Sequence, residues 1–215
     1  MEYQINNSSE VDNWKEVILV YNSALKEIGT KLEILNDEFQ HVHRYNPIEH
    51  IKSRIKTSES IVKKLKKNGY ESTIENMVKY VNDIAGIRII CSFTTDIYRI
   101  AEMLANQNDV KVLAVKDYIK NPKPSGYKSY HMIVSIPVFL SDRIIEAKVE
   151  VQIRTVAMDF WASLEHKLRY KKNIPESEAE YLAKELVECA GISASLDQRM
   201  EAIRDRMEAA QEKIS

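Results

Sequence analysis

The stretch KVEVQIRT, residues 148–155, alternates polar and apolar side chains without interruption. Side chains of a β-strand point to opposite faces in turn, so Val149, Val151 and Ile153 are predicted to share a buried face. For an isolated strand, the ordinary interpretation of the other face is a solvent-exposed row of ion pairs. The neighbouring segments favour a chemical role for that polar face, which carries Lys148, Glu150, Gln152 and Arg154.

The composition indicates a globular chain without a charge bias. Of the 215 residues 44% are hydrophobic, which is enough to bury a core. Lys and Arg number 31 and Asp and Glu number 32, for a formal net charge of -1. This balance excludes a general basic field for bulk nucleic-acid binding, so an anion site must come from local clusters of cations.

The cysteines and the N terminus bear on the compartment. Cys91 lies in an apolar run and Cys189 in a helical pattern, so both are predicted to be buried, reduced thiols, and neither begins a metal-spaced pair. The N-terminal segment is polar and no window is apolar enough to span a membrane. The sequence therefore predicts a cytoplasmic protein without membrane association.

Two long apolar stripes with helical spacing lie at the ends of the chain. Apolar residues recur at alternating steps of four and three from Trp14 to Phe39, and a similar stripe runs from Leu182 to Ala210. These patterns predict helical arms that pack on the domain, on another chain, or on both. We expect a flexible N terminus over residues 1–12, a domain with the first helix over 13–175, and a C-terminal helical oligomerisation arm over 176–215.

The middle of the chain mixes helix and strand patterns. Short helices are predicted over 48–56 and over 58–68, the second ended by Gly69. Asp96 is predicted to cap another helix. A last helix is expected over 159–171, with three residues facing inward: Trp161, Leu164 and Leu168.

Strands are predicted between these helices. They cover residues 84–93, 110–115 and 131–136, together with the stretch that contains Glu150. Strands that alternate with helices and then follow one another predict an α+β fold. We expect a mixed β-sheet of about five strands, flanked by helices and by the two long arms.

Three motifs carry groups suited to chemistry. DIAGIR at 83–88 enters a strand whose Arg88 points away from the apolar face, and SGYKSYH at 125–131 is a loop that carries aromatic and basic residues into a strand. The third motif is EVQIRT at 150–155. Taken singly, Asp83 is as often a turn residue as a metal ligand, and loops that contain Gly and Tyr are common.

Together with FWASLEH at 160–166, these motifs resemble the synthetase domain of the RelA/SpoT alarmone enzymes. The resemblance extends from about Pro47 to Lys171 and is specific at each motif. Since no hydrolase or regulatory domain accompanies it, the chain resembles the stand-alone small alarmone synthetases. The segments 123–126 and 158–161 are more similar to the RelP type than to the RelQ type. The resemblance implies the nucleotidyltransferase-like fold of that family.

The resemblance also implies a reaction. Such an enzyme is a GTP pyrophosphokinase, which transfers the β,γ-pyrophosphate of ATP to the 3′-hydroxyl of GDP or GTP and makes ppGpp or pppGpp for the stringent response. Glu150 matches the catalytic carboxylate that accepts the hydroxyl proton. Asp83, with Glu150, matches the ligands of the Mg²⁺ cofactor, a hard cation that prefers carboxylate oxygen.

The family's substrate contacts can be carried over to matching positions. Arg54 and Arg88 resemble the pair that sandwiches the adenine of ATP, a geometry suited to planar guanidinium groups. Lys56 resembles a triphosphate contact, and Lys64 is our choice from the run of lysines at 63–67, most of which is expected to be a solvated helix face. Tyr127 resembles the residue that stacks on guanine. The other expected acceptor contacts are Lys128, His131, Gln152, Arg154 and Glu165.

Two alternatives remain open at the level of sequence. The first is a non-catalytic nucleotide or RNA-binding module, in which Tyr127, Arg88 and the lysine run serve recognition alone; intact Asp83 and Glu150 argue against it, and RNA binding is not otherwise indicated. The second is an oligomeric scaffold built on the helical arms. The resemblance points to a homotetramer, whereas the preferred acceptor among GMP, GDP and GTP is left open.

Overall fold

The computed structural model describes residues 10–42, 45–169 and 175–213. A mixed five-stranded sheet has the strand order β1-β2-β5-β4-β3, in which β2 and β5 are parallel and the other neighbours are antiparallel. The predicted α+β fold with two long helical arms is confirmed. In chain order the elements are α1 (Glu10–His41), β1 (Ile48–Ile55), α2 (Ser58–Lys67), α3 (Ile74–Tyr80), β2 (Ala85–Cys91), α4 (Thr94–Ala105), β3 (Lys111–Asp117), β4 (Tyr130–Phe139), β5 (Ile144–Thr155), α5 (Val156–Arg169) and α6 (Glu176–Glu212).

The alternation in β5 sorts its side chains as predicted. Val149, Val151 and Ile153 are fully buried, in one core cluster with Ile28 and Leu32 of α1. The predicted N-terminal stripe thus packs across the sheet, where α1 contacts β1, β2, β4 and β5. Each fully buried side chain of this size contributes about 1.5–3 kcal/mol, so the apolar face anchors the sheet and leaves the opposite face for polar groups.

Residues 48–55 form a strand, and the predicted helix over 48–56 is wrong. Ile48, Ile51 and Ile55 recur at steps of three and four, which resembles a helical pattern. In the structure β1 pairs antiparallel with β2, and a bulge between Ile48 and His50 shifts the register. Because a bulge interrupts the alternation of buried and exposed side chains, the sequence of this strand lacks the period of two that predicts a strand. Hydrogen bonding to the buried strand β2 holds the segment extended.

Two helix predictions need smaller corrections. Asp96 is not the residue that precedes α4: it lies inside the first turn, where its Oδ2 accepts a hydrogen bond of 3.1 Å from the Phe93 amide. Helix α5 begins at Val156, and Trp161 is buried in it as expected, but Leu164 and Leu168 are 42% and 48% exposed. The expected end at Lys171 lies outside the described residues.

Further differences concern the ends and a short helix. Helix α1 begins at Glu10, inside the segment predicted to be flexible, and residues 1–9 lie outside the described part. Helix α3 was not predicted; the Thr73 hydroxyl accepts a hydrogen bond from the Asn76 amide and caps it. Cys91 is buried as expected, whereas Cys189 is exposed, which contradicts the prediction.

Helix α6 packs against α5 and α4 and leaves much of its apolar stripe exposed. Leu196, Met200, Ile203 and Met207 are each about half exposed or more. The stripe is therefore not satisfied by the fold of a single chain. Among the described residues, no helix is long and apolar enough to cross a membrane.

Candidate active site on the polar face of the sheet

The register of the sheet aligns polar side chains from four strands. Glu150 lies opposite Gly86 of β2, and Gln152 lies between Arg88 of β2 and His131 of β4. On the edge strand β1, Arg54 lies opposite Gly86. Side chains that share a row and a face of a sheet are neighbours, so the three sequence motifs converge on one surface.

Asp83 precedes β2 and holds two ammonium groups. Lys56 Nζ lies 2.8 Å from Oδ2, and Lys64 Nζ from α2 lies 2.8 Å from Oδ1. Burial raises the pKa of Asp83, but the hydrogen bonds and charges of Lys56 and Lys64 outweigh burial and bring this pKa below its ordinary value. The result is an ionised carboxylate beside two cations, an arrangement suited to a polyphosphate.

Glu150 is largely buried at the centre of the polar face. Gln152 Nε2 donates a hydrogen bond of 2.8 Å to Glu150 Oε2, and His131 Nδ1 lies 3.7 Å from Oε1. Burial raises the pKa of Glu150, but the nearby His131 and the hydrogen bond from Gln152 outweigh burial and bring this pKa below its ordinary value. Glu150 is therefore ionised at neutral pH and able to accept a hydrogen bond from a substrate hydroxyl.

Arg154 is a buried hub, with 5% of its side chain exposed. Its Nη1 lies 3.0 Å from Asp159 Oδ1, and its Nη2 donates to the Tyr127 hydroxyl at 2.5 Å and to Gln152 Oε1 at 3.2 Å. Nε donates to the Ser129 hydroxyl at 3.3 Å. The donors of the guanidinium are thus taken by partners within the protein, and these bonds connect the loop of Tyr127 to the end of β5.

The two arginines predicted to contact adenine lie on neighbouring strands. Arg54 is exposed on β1, whereas Arg88 lies 3.2 Å from Asp159 Oδ1 and 3.5 Å from Gln152 Oε1. Arg88 Nε is buried and has no hydrogen-bond partner in the described part of the chain. One guanidinium of the predicted pair is therefore held in place and the other is accessible.

The loop between β3 and β4, residues 118–129, brings aromatic rings and a cation together, and we call it the acceptor loop after its expected role. Tyr127 hydrogen-bonds to His131 Nε2 at 2.9 Å, and its ring meets that of Tyr118 edge-on, with centroids 6.0 Å apart. Lys123 Nζ lies 4.7 Å from the Tyr118 centroid and 4.8 Å from the Tyr127 centroid. Neither Lys123 nor Tyr118 was predicted to be a site residue: Lys123 lies in a run that showed only the Pro and Gly of a loop, and Tyr118 lies outside the three motifs.

The remaining expected residues lie around this surface. Lys128 is half-buried and borders Trp161 and Ala190 in a small cleft, and Glu165 is half-buried on α5. Of the lysine run on α2, only Lys64 reaches Asp83, while three of its members are exposed to solvent: Lys63, Lys66 and Lys67.

The carboxylates of this face bear on the expected Mg²⁺. No cluster of three or more His, Cys, Asp or Glu able to hold a metal occurs among the described residues. Mg²⁺ is usually bound by one or two carboxylates together with substrate phosphates and water. Asp83 and Glu150 supply two ionised carboxylates, which fits an ion that arrives with a nucleoside triphosphate.

Comparisons with known proteins agree with this geometry. The family model described as the region found in RelA and SpoT proteins matches residues 53–175. GTP pyrophosphokinase YwaC of Bacillus subtilis is 47% identical over 200 residues, which cover 92% of this chain and 93% of YwaC. GTP pyrophosphokinase YjbM of the same organism is 35% identical and covers 94% of this chain and 93% of its own length.

Solved structures show the same relationship. The crystal structure of small alarmone synthetase 2 from Bacillus subtilis has a TM-score of 0.80 and 46% identity, and covers 90% of this chain and 99% of that chain. Small alarmone synthetase 1 bound to its product pppGpp has a TM-score of 0.81 and 34% identity, with 90% and 97% coverage. The match to the family model, the 47% identity over 92% of the chain and the shared fold establish the family. The chain belongs to the RelA/SpoT family, among its small alarmone synthetases.

Proposed function

We propose that the protein is a GTP pyrophosphokinase that transfers the β,γ-pyrophosphate of ATP to the 3′-hydroxyl of GDP or GTP. The observation that carries the proposal is the position of Asp83, with its two lysines, on the same polar face as Glu150. Phosphoryl-type transfer needs charge stabilisation and alignment more than covalent catalysis. This face supplies both cations and carboxylates beside an accessible arginine.

In the proposed reaction, the 3′-oxygen of the acceptor attacks the β-phosphorus of ATP. The bond between the 3′-oxygen and the β-phosphorus forms, the bond from that phosphorus to the α,β-bridging oxygen breaks, and AMP leaves with the electron pair. The products are AMP and ppGpp from GDP, or AMP and pppGpp from GTP. The proton of the hydroxyl is released, and no oxidant or further reactant is needed.

Glu150 receives the hydroxyl proton in this scheme. Its pKa below the ordinary value keeps it ionised, so its oxygens can accept a hydrogen bond from the hydroxyl, but also makes it a weak Brønsted base. Its main contribution is therefore to orient the hydroxyl, with proton transfer completed as the oxygen bonds to phosphorus. Gln152 and His131 fix the carboxylate in position through the contacts to its two oxygens.

ATP would lie over β1 and β2. Lys56 and Lys64 contact Asp83, and each can turn its ammonium group toward the triphosphate. Arg54 and Arg88 would stack on adenine, Arg54 from the exposed edge. When bound, Mg²⁺ would be held by Asp83 and Glu150 and would neutralise charge on the phosphate oxygens.

The acceptor would lie beside the loop of Tyr127. Its guanine would stack on the Tyr127 ring. Lys123 lies over this ring, so guanine would either displace Lys123 or stack on the opposite face of the ring. Lys128 and His131 would contact the acceptor's polar groups. Arg154 would act by fixing Tyr127, since its own donors are taken by partners inside the protein.

Assembly and compartment belong to the same proposal. The exposed apolar stripe of α6 supports a homo-oligomer, for which we propose a tetramer. Substrates of this kind are cytoplasmic nucleotides, so we place the activity in the cytoplasm. The similarity of segments 123–126 and 158–161 supports the RelP type.

The reaction can be tested directly. Purified protein incubated with ATP, Mg²⁺ and GDP is expected to give equal amounts of AMP and a guanosine tetraphosphate, resolved by anion exchange. A binding module or scaffold would leave both nucleotides unchanged, and hydrolysis of ATP without a new guanosine product would contradict the proposal. Repeating the assay with GMP and GTP in place of GDP identifies the preferred acceptor.

A further inference from the structure

Helix α6 contacts the acceptor loop and the end of β5 along one face. We propose that Ala190 and Asp197 of α6 are positioning residues for the acceptor nucleotide: Ala190 seats the loop at Gly126, and Asp197 holds Thr155 at the end of the strand that carries Glu150. The inference rests on the proposed function and assigns to α6 a second role beside assembly.

The loop packs on α6 through a close contact between two small residues, Gly126 and Ala190. Gly126 has a φ of 86°, in the left-handed region, and a Cβ built on it would lie 2.5 Å from Ala190 Cβ. The loop is tightly turned there, because the Gly126 amide donates to Lys123 O at 2.8 Å and the Lys123 amide donates to Tyr127 O at 3.2 Å. A shift of α6 at Ala190 is therefore transmitted to the residue beside Tyr127.

The second contact fixes the end of β5. Thr155 is fully buried, donates its hydroxyl to Asp197 Oδ2 at 2.7 Å and accepts a hydrogen bond of 3.1 Å from the Met158 amide in the first turn of α5. Burial raises the pKa of Asp197, while the Thr155 hydrogen bond and the charge of Lys128 oppose this effect. Asp197 thus lies near both the expected phosphate contact and the strand of Glu150.

Two further hydrogen bonds place α6 on the same side of the site. Trp161 Nε1 donates to Leu186 O at 2.9 Å, and the Ser193 hydroxyl donates to Ala157 O at 3.1 Å. Together with Ala190 and Asp197, these positions follow steps of four, three and four, so they form one helix face. That face packs on acceptor elements. The expected ATP residues lie elsewhere: Arg54 is on β1, Lys56 follows β1, and Lys64 is on α2. In the described part of the chain, α6 packs mainly on α5 and α4 and makes at most minor contacts with β1 and α2.

A larger side chain at Ala190 should consequently disturb the acceptor and spare ATP. For Ala190→Val we expect the KM for GDP to rise about tenfold, because a displacement near 1 Å is costly in a positioned site. The KM for ATP should change less than about twofold. Ala202→Val, at an exposed position of the same helix, carries the same loss of helix propensity and is the matched control.

A double variant that exchanges the two small residues distinguishes a lost contact from a general loss of stability. Gly126→Ala should raise the GDP KM strongly, both by clashing with Ala190 and by strain at its positive φ. Adding Ala190→Gly removes the clash, since the next atoms from that Cβ are Val187 Cα at 3.6 Å and Trp161 Cζ2 at 3.8 Å. The double variant should recover several-fold of the lost GDP affinity, with the strain of Ala at position 126 remaining.

The outcomes separate the two proposals. If wild-type protein forms no alarmone, the proposed function fails, and the positioning role falls with it. If wild-type protein is active, three results overturn the positioning role alone: an unchanged GDP KM in Ala190→Val, equal rises in the ATP and GDP KM of that variant, or no recovery in the double variant. Light scattering on each variant shows whether the oligomeric mass is kept.

Discussion

Arg88 on β2 and Asp159 on α5 form an ion pair in which Arg88 Nη1 lies 3.2 Å from Asp159 Oδ1. The same carboxylate oxygen lies 3.0 Å from Arg154 Nη1. One acid therefore serves two cations, of which Arg154 is the more buried. The pair links a strand predicted to contact ATP with the residue that holds the acceptor loop, so the two halves of the site share a carboxylate.

Removal of that carboxylate should destabilise the fold. Asp159→Ala leaves the buried Arg154 without the carboxylate that it pairs with, and breaking a buried pair from one side costs about 3 kcal/mol. The measurement is the free energy of unfolding in urea at one protein concentration. Asp142→Ala breaks an exposed pair with Arg143 and should cost about 0.5 kcal/mol or less. Equal losses in both variants would contradict the view of Arg154 as a buried hub.

Replacement of Glu150 by its amide tests the proposed proton acceptor. Glu150→Gln keeps the size of the side chain but loses the negative charge that orients the hydroxyl, so turnover should fall about 100-fold or more. ATP binding, measured by calorimetry, should fall far less than turnover, because Asp83, Lys56 and Lys64 remain. Glu146→Gln on the same strand is the control, because Glu146 is exposed and contacts Ser135 away from the site. Near-normal turnover in Glu150→Gln would assign the proton to another group.

Strict alternation and special residues made parts of the fold predictable. The buried row of Val149, Val151 and Ile153 was visible in the sequence because only a strand places alternate residues on one face. The 32 residues of α1 were likewise visible, since a long helical stripe has few alternatives. Strand β1 was not predictable, because its conformation depends on its bulge and on pairing with β2. Neither feature shows in the pattern of its own residues.

The candidate site was predictable by resemblance and less so by local pattern. Asp83 and Glu150 were placed by motif, but the pairing of Asp83 with Lys64 depends on how α2 packs beside the start of β2. Likewise, Arg154 was expected to contact substrate, yet its partners lie 5 and 27 residues away, on α5 and in the acceptor loop. Contacts of this kind follow from tertiary packing, which a single sequence does not display.

Tyr127 should discriminate between the two nucleotides. Tyr127→Ala removes the ring and should weaken guanine-nucleotide binding by roughly 1–3 kcal/mol while sparing ATP. Tyr127→Phe keeps the ring and loses only the hydroxyl contacts to Arg154 and His131, so its effect on GDP binding should be smaller. Calorimetry with each nucleotide provides the measurement. Equal weakening of ATP and GDP by the Ala variant would mean that the loop is a general cover and not a guanine contact.

Asp96 should give stability a dependence on pH. Burial raises its pKa above the ordinary value, although hydrogen bonds from Tyr45 and the Phe93 amide and the charges of Arg204 and Arg99 oppose the rise. Because the folded state binds this proton more tightly, the stability it contributes is present below the ordinary pKa and is lost as the pH rises through the folded value.

Asp96→Asn keeps the hydrogen-bond acceptor and removes this titration. Between about pH 4 and about pH 7, the free energy of unfolding of wild-type protein should therefore fall relative to that of the variant. Urea unfolding at a series of pH values measures the difference. A constant difference across the range would show that Asp96 has the same proton affinity in both states.

The exposed stripe of α6 should form the oligomer interface proposed above. A groove of about 330 Å³ lies where Met200, Ile203 and Met207 meet Tyr45 and Phe93. Ile203 is 51% exposed and Met207 60%, so Ile203→Lys should place a charge in the interface while leaving the contacts of Ala190 and Asp197 intact. The mass measured by light scattering should fall below that of wild-type protein. Glu180→Lys, a charge change at an exposed position of the same helix, should keep the wild-type mass. An Ile203→Lys protein that retains the full oligomeric mass would remove this part of α6 from the interface.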